Sequence, residues 1–400
     1  MRGYGGSKIL LGSLLLFYAV VYFHRVMTGV MKVEIDSVAE LYKVDANVLL
    51  ALLSSTYYYA YTVAQLFVGV LLDTYGVKKI GALSSAILSV GALLMLLMSP
   101  ATLIIGRILI GFSASAAFLS YQRISSLNYD KVFQARLTSY ALLVGNLSAL
   151  LATYPLRVTL NVVGLRTTLA SLAVLTFVIA AIIFAVSNDV GSSGGSGRVI
   201  GTVRHLKGLV RDPHIWGVSI GAAGVYGAVL SFQSAWGQKL MSDVFGLGAD
   251  VSSQYLMVLA LVFALTCPVT GFLSDKVLRR RKPLLQIATL VSTASWALML
   301  HSSLTSNKPL LITSIIALGL ASSLHIVAPS MAKEGYNTGY SATAVAFFNV
   351  VLFSWAAVLQ TIAPLIGSIS SIEMHLAISL IAVFTVWMLV RETLAEGSAS

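Results

Sequence analysis

Apolar residues in this chain come in long unbroken stretches, not in alternation with polar ones. The first, "LLLFYAVVYFHRVMTGV", carries only two charged or ionisable side chains besides its tyrosines. Runs of roughly 20 apolar residues are long enough to cross a ~30 Å hydrocarbon layer as helices. Twelve are read from the sequence, at 9–31, 47–72, 80–98, 101–124, 137–156, 167–187, 214–236, 252–274, 284–302, 309–330, 342–363 and 372–391. Strands of a membrane barrel would alternate over about ten residues, whereas a continuous apolar run must satisfy its backbone internally as a helix. The expected fold is all-α and integral to the membrane, with 12 transmembrane helices.

Composition agrees. Mean hydropathy is +0.88 and only 10% of residues are charged, against about a quarter in soluble proteins. The first apolar run continues without a small-residue cleavage site after a short core, so it is expected to remain as the first span. The single cysteine, Cys267, lies in an apolar run and permits no intramolecular disulfide. The net charge of +11 does not indicate a nucleic-acid partner, because the bases sort by side of the membrane. With the N-terminus inside, 18 of the 26 Lys and Arg fall on inner segments and 6 on outer loops; Arg25 and Arg107 lie within spans. This predicts a multi-pass protein of the cell (plasma) membrane with both termini cytoplasmic.

The stretch "SNDVGSSGGSGRVIGTVRHLKGLVRDPH" separates the sixth run from the seventh. Its Gly/Ser part reads as a flexible linker, giving a first bundle at 1–187, a linker at 188–213 and a second bundle at 214–400. Val199, Val203, Leu206 and Val210 recur at helical spacing, with Arg204, Lys207 and Arg211 on another side. Two readings stand: a short helix on the anionic inner leaflet, or a solvated basic loop.

The two halves repeat. "GVLLDTYGVKK" (Gly69 to Lys79) is echoed by "GFLSDKVLRRRK" (Gly271 to Lys282), and Asp73 and Asp275 are 275 − 73 = 202 apart. Six spans, a linker and six more imply a parallel duplication about an axis along the membrane normal. An aspartate at the end of a helix meets that helix's partial negative charge and needs a compensating partner. Lys78 and Lys79 in the first copy, and Lys276 and Arg279 in the second, are the expected partners. Gly69 and Gly271 would admit a close helix, and Gly76 the tight turn into span 3. The whole reads as a conformational latch of roughly 1–2 kcal/mol, with an ordinary solvated turn as the alternative.

"GVLLDTYGVKK" resembles the loop 2–3 signature of the major facilitator superfamily, Gly-x-x-x-Asp-Arg/Lys-x-Gly-x-Arg/Lys-Arg/Lys. "GRILIGFSASAAF" resembles the family's Arg-x-x-x-Gly pattern through Arg107 and Gly111. Thr74 departs from the pattern, as does Leu278, which stands where a glycine is usual. The resemblance spans essentially the whole chain. It implies rocker-like alternating access by two six-helix bundles and one midplane substrate site lined by spans 1, 4, 7 and 10.

Polar groups inside the spans supply the candidate site. No Asp or Glu lies at mid-depth. A buried arginine costs at least ~2.5 kcal/mol when unpaired in lipid. Arg25 either snorkels to the outer interface or faces a cavity, where its fork of donors suits a carboxylate or phosphate. Its place in span 1 is similar to that of an arginine in the organophosphate/phosphate antiporter branch, whose span 7 arginine is missing here. Phosphate and carboxylate both stay open. Arg107 reads as structural or as substrate-contacting. Tyr57, Tyr58, Tyr61 and Gln65 share a face of span 2. Gln233 and Trp236 on span 7 offer a hydrogen bond and a stacking wall, though Trp236 also suits an interfacial belt. His24 and His325 are candidate proton carriers, with Tyr121, Gln122 and Asn349 weaker candidates of the same polar kind. Pro268, Pro329 and Pro364 are plausible bending points.

The expected function is a secondary or facilitative transporter of a small organic anion, a carboxylate or phosphorylated metabolite. The chain is expected to act as a monomer, with protons or a counter-anion as possible coupling partners. The alternative is a proton-coupled exporter of apolar or cationic compounds. A transport-inactive sensor with this fold is a further possibility. Neither an enzyme nor a metal or cofactor site is expected, because no clustered ligands, no nucleophile with its base and no phosphate-binding loop occur.

Overall fold

The computed structural model describes residues 4–129, 131–189, 208–336 and 341–394. Among the described residues every regular element is helical and none is a strand. The chain divides into two compact units, Met1–Val199 and Ile200–Ser400.

In the first unit, α1 (Tyr4–Val26) runs into a 3-10 turn at Met27–Val30 and then a short helix, α2 (Lys32–Tyr42). α3 (Ala46–Met95) has 50 residues, which at 1.5 Å each would reach about 75 Å, more than two hydrocarbon thicknesses. It is two spans. The break is Gly76 (φ 75°, ψ 168°), a conformation that glycine alone adopts without strain. α4 (Pro100–Asn128), α5 (Lys131–Leu151) and α6 (Tyr154–Val186) complete the unit. α6 is broken likewise, at Gly164 (φ 77°, ψ 167°), so a short outer helix precedes its membrane-spanning part.

The second unit holds α7 (Pro213–Phe245), α8 (Ala249–Leu278), α9 (Lys282–Leu304), α10 (Lys308–Glu334), α11 (Ser341–Ile362) and α12 (Ser368–Leu389). α7 is interrupted by two π-helical turns, Ala223–Gly227 and Phe232–Trp236, and α8 ends in a third, Leu273–Leu278. Among the described residues ten helices are long and apolar enough to cross a membrane. Counting α3 as two spans and adding the 21-residue α5, the structure fits the expected twelve.

Several boundaries differ from expectation. The fifth span, read at 137–156, is the helix Lys131–Leu151: a turn at Ala152–Thr153 stops it and Pro155 starts the next helix. α2 falls in a stretch that carries no span in the sequence reading; it forms because Ile35, Val38 and Ala39 make a buried stripe at helical spacing. Asp73 does not end its helix, which continues to the break at Gly76. Pro364 lies in the turn after α11 and bends no span, whereas Pro268 is inside α8 and Pro329 follows a 3-10 turn at His325–Val327 in α10. The proposed linker and interfacial helix fall mostly at 190–207, outside the described residues; Val210 and Arg211 are exposed just before α7.

Candidate functional site

The first unit gathers an arginine–tyrosine cluster from α1, α3 and α4. Arg25, two residues before the 3-10 turn, is 4% exposed. Its guanidinium lies 4.3 Å from the ring centre of Tyr22 and 5.5 Å from that of Tyr61. It is packed under rings and not splayed toward the lipid surface. Cation–π contacts of this kind offset part of the cost of burying the charge, by up to about 2 kcal/mol each when water is excluded. Tyr61 stacks on Tyr57 at 6.3 Å, and Tyr57 meets Tyr58 edge-on at 5.0 Å. The shared face read from span 2 thus faces the unit's interior, and Gln65 lies one turn further on with its Oε1 enclosed and without a partner.

Arg107 is also buried, with its ion at 4.8 Å from the Tyr57 ring. Its Nε–H donates to the Leu53 carbonyl at 2.8 Å and its Nη1–H to the His24 carbonyl at 2.6 Å. It therefore ties α4 to α1 and α3, which is the structural member of its two readings, while Nη2 is left without a partner. Gly111, one turn along, makes this proximity possible: a Cβ there would collide with the Tyr57 backbone. His24 is fully buried and neither ring nitrogen has a partner; the Tyr57 hydroxyl is in the same position. Buried polar atoms of this sort are seldom left unsatisfied in folded proteins. Gln122 is elsewhere. Its amide donates to the Thr138 hydroxyl at 3.0 Å and Tyr121 donates to the Leu137 carbonyl, so both fasten α4 to α5.

At the opposite end of this unit lies the motif that began with Gly69. The expected lysine partners are corrected by the structure. Asp73 pairs with Arg123 of α4 at 2.7 Å. Arg123 also pairs with Asp189, which follows α6, at 2.8 Å. Lys78 instead lies 5.2 Å from the Phe184 ring, and Lys79 is exposed. Asp189 does a second job: it accepts the Val77 N–H at 2.8 Å, capping the helix that restarts after Gly76. Around Gly69 the space is open, so within its own unit no neighbour closes on it. Asp189→Ala should therefore cost about 2 kcal/mol through loss of the cap and half-buried pair, read as a lower midpoint of thermal unfolding in detergent. Lys79→Ala should leave the midpoint unchanged. Equal losses from the two would refute the pairing.

The second unit repeats the device with altered parts. Glu392, after α12, stands 392 − 189 = 203 residues beyond Asp189. It accepts the backbone N–H groups of Arg281 and Lys282 at 2.9 and 3.1 Å, at the start of α9. Burial by itself pushes the pKa of this carboxyl up, but those N–H groups, with Thr393 and Leu394, outweigh burial and hold it below its usual range. Arg281 grips Glu334 through two hydrogen bonds of 2.6 and 2.7 Å and reaches Asp275 at 3.5 Å. Lys276 and Arg279, the expected partners of Asp275, are exposed, and Gly271 has open space about it.

Trp236 is no belt residue. It is 1% exposed and packs on Phe232, on Trp296 of α9 at 6.1 Å and on His375 of α12 at 5.0 Å. Gln233 is buried with its amide nitrogen unpartnered. His325 stacks on Tyr226 at 4.3 Å, and its Nδ1–H points at the Ser322 carbonyl. Among the described residues no group of three or more His, Cys, Asp or Glu could hold a metal.

Sequence reasoning missed Tyr18 and Tyr22, although Tyr18, Tyr22 and Arg25 recur at helical spacing in "FYAVVYFHR". It counted Arg123 and Arg281 only as inner charges. Their acidic partners lie 66 and 53 residues away in the chain, a separation that no local pattern signals.

These features define a helical membrane protein with a duplicated charged hairpin and buried arginines. The chain belongs to the Major Facilitator Superfamily, whose sequence profile matches residues 10–361. It is a transporter and not an enzyme. No curated protein sequence matches it. Among solved structures it resembles a D-xylose–proton symporter (15% identity, TM-score 0.78, covering 98% of this chain and 99% of that one). It also resembles a bacterial homologue of the human lysosomal transporter Spinster (15%, 0.73, 97% and 97%) and a mutant form of the nucleoside transporter NupG (13%, 0.72, 94% and 100%). At such identities these likenesses speak to fold.

Proposed function

We propose that this protein moves a small organic anion, a carboxylate or a phosphorylated metabolite, by rocker-switch alternating access. The observation that carries the reading is the Arg25 guanidinium, 4% exposed inside a membrane helix and set among tyrosine rings. A cation at that depth is costly and marks a functional site by default. Tyr57, Tyr61, Gln65 and His24 serve as its polar surroundings, and Arg107 as the brace that positions them. Gln233 and His325 are the second unit's polar candidates. Coupling runs through a proton or a counter-anion, with His24, buried and unpartnered, the first histidine to test. Asp73 with Arg123, and Asp275 with Arg281, act as latches that break and re-form during the cycle. The protein works as a monomer in the plasma membrane with both termini cytoplasmic, its bundles being 1–187 and 214–400 joined by 188–213.

The test is uptake into proteoliposomes of carboxylates, sugar phosphates, sugars and peptides, comparing the native chain with Arg25→Ala. Anion transport should fall at least about tenfold, the loss expected when a buried charge-assisted contact is removed, with the unfolding midpoint retained. A variant that carries the native substrate at the native rate would refute the site. Preferential export of apolar cations would favour the drug-efflux alternative.

A further inference from the structure

We infer that the loop between α8 and α9 is a docking surface for anionic phospholipid. The headgroup phosphate meets Lys276, Arg279 and Arg280, and Val277 with Leu278 enters the edge of the bilayer. The inference stands apart from the transport reading and does not depend on the substrate. It starts from a difference between the two hairpins. At the 202-residue offset Thr74, Val77, Lys78 and Lys79 correspond to Lys276, Arg279, Arg280 and Arg281. The first copy thus carries two bases where the second carries four, and Lys282 follows directly. Val77 is buried and its N–H is held by Asp189, whereas Arg279 is exposed in a left-handed turn (φ 48°). The fold of the second copy employs one guanidinium, that of Arg281, on Glu334 and Asp275. Lys276, Arg279 and Arg280 are exposed beyond that need.

The sign of the ligand follows from all the charges at this loop. Lys276, Arg279, Arg280, Arg281 and Lys282 are cations, and Asp275, Glu334 and Glu392 are the anions bound to the loop, which leaves 5 − 3 = 2 positive charges. The three anions gather on the Arg281 guanidinium and on the N–H groups of Arg281 and Lys282. Among the described residues the side chains of Lys276, Arg279 and Arg280 form no ion pair. A basic cluster next to the end of a membrane helix attracts acidic headgroups over about a Debye length.

Apolar neighbours make the ligand a lipid and not a soluble phosphate. Val277 and Leu278, set between the bases, are 56% and 42% exposed. Leu265, Val269 and Phe272 are exposed at one-turn intervals along α8, and Lys276 comes one turn after Phe272. The basic loop therefore closes the end of an apolar face on a membrane-spanning helix. At that end long basic side chains reach headgroup depth while apolar ones meet the acyl chains. With the orientation proposed above, the lipid belongs to the inner leaflet.

The experiment is native mass spectrometry of the purified full-length protein with phosphatidylglycerol and phosphatidylcholine of the same acyl chains. The native chain should prefer phosphatidylglycerol by at least about tenfold, the scale of two bases acting at a charged surface. Arg279→Gln with Arg280→Gln should remove most of that preference. Lys78→Gln with Lys79→Gln takes the same charge from the first hairpin and should leave it intact. Val277→Ser with Leu278→Ser should weaken both lipids alike, and glycerol phosphate, a headgroup without chains, should not displace the bound lipid. The unfolding midpoint of each variant without added lipid checks that it is folded. A preference that survives Arg279→Gln with Arg280→Gln overturns the site. So do equal losses from the two hairpins, which would report net charge alone. Displacement by glycerol phosphate, or unchanged binding after Val277→Ser with Leu278→Ser, overturns the lipid as occupant.

Discussion

Arg157→Met is expected to destabilise the first unit by about 3 kcal/mol, the usual scale for breaking one side of a buried ion pair. Arg157 is 4% exposed. Its guanidinium pairs with Glu34 at 3.0 Å and donates to the Val30 carbonyl and to Asn161 Oδ1. One side chain thus fastens the 3-10 turn after α1, the start of α2 and the short helix before Gly164. Its removal leaves Glu34, whose side chain is 15% exposed, without its cation. Glu34→Gln should cost less, since the amide still accepts a hydrogen bond from Arg157. Combining Arg157→Met with Glu34→Met should recover much of the loss, because an apolar pair has no charge to desolvate. Thermal unfolding of the native chain, Arg157→Met, Glu34→Met and the double variant in one detergent gives the cycle. Additive losses would mean that the two charges do not interact.

Gly111→Ala should cost more than about 2 kcal/mol or abolish folded protein, while Gly69→Ala should be neutral or gain up to about 1 kcal/mol. A methyl group at Gly111 would collide with the Tyr57 carbonyl oxygen and Cα, which are main-chain atoms and have no rotamer to escape into. α4 would have to move off α3, pulling Arg107 away from the carbonyl of Leu53. At Gly69 nothing lies within 4 Å of the added carbon, so only the gain in helix propensity remains. Folded yield by size-exclusion chromatography and the unfolding midpoint decide between these outcomes. Comparable losses at both glycines would mean that the packing about Gly111 is not what limits stability.

The two glycines also show where sequence reasoning is strong and where it stops. Both stand in resemblance motifs, and spacing treats them alike. Only the approach of α3 separates a glycine needed for packing from one facing open space. The same holds for charge. That Asp73 needs a cation follows from the helix dipole and its inner position. That the cation is Arg123 and not Lys78 or Lys79 follows from α4 and α6 converging on the restart of the helix after Gly76. In the cluster, the span 2 tyrosines and Arg25 were legible because polar groups in apolar runs stand out. Tyr18 and Tyr22 were not, because an aromatic residue in a membrane span is ordinary until a cation is seen against its face.

By itself the sequence determined that this chain is helical, lies in a membrane, repeats at an offset of 202 residues and belongs with facilitator-type transporters. These follow from run length, composition and local spacing, which act over one or two helical turns or the thickness of a bilayer. Tertiary structure alone decided which base meets which acid, which glycine is pressed by backbone and which rings gather around Arg25. Apart from Tyr22, three residues before Arg25, those depend on contacts between residues tens to more than a hundred positions apart, where distance along the chain carries no information about distance in space.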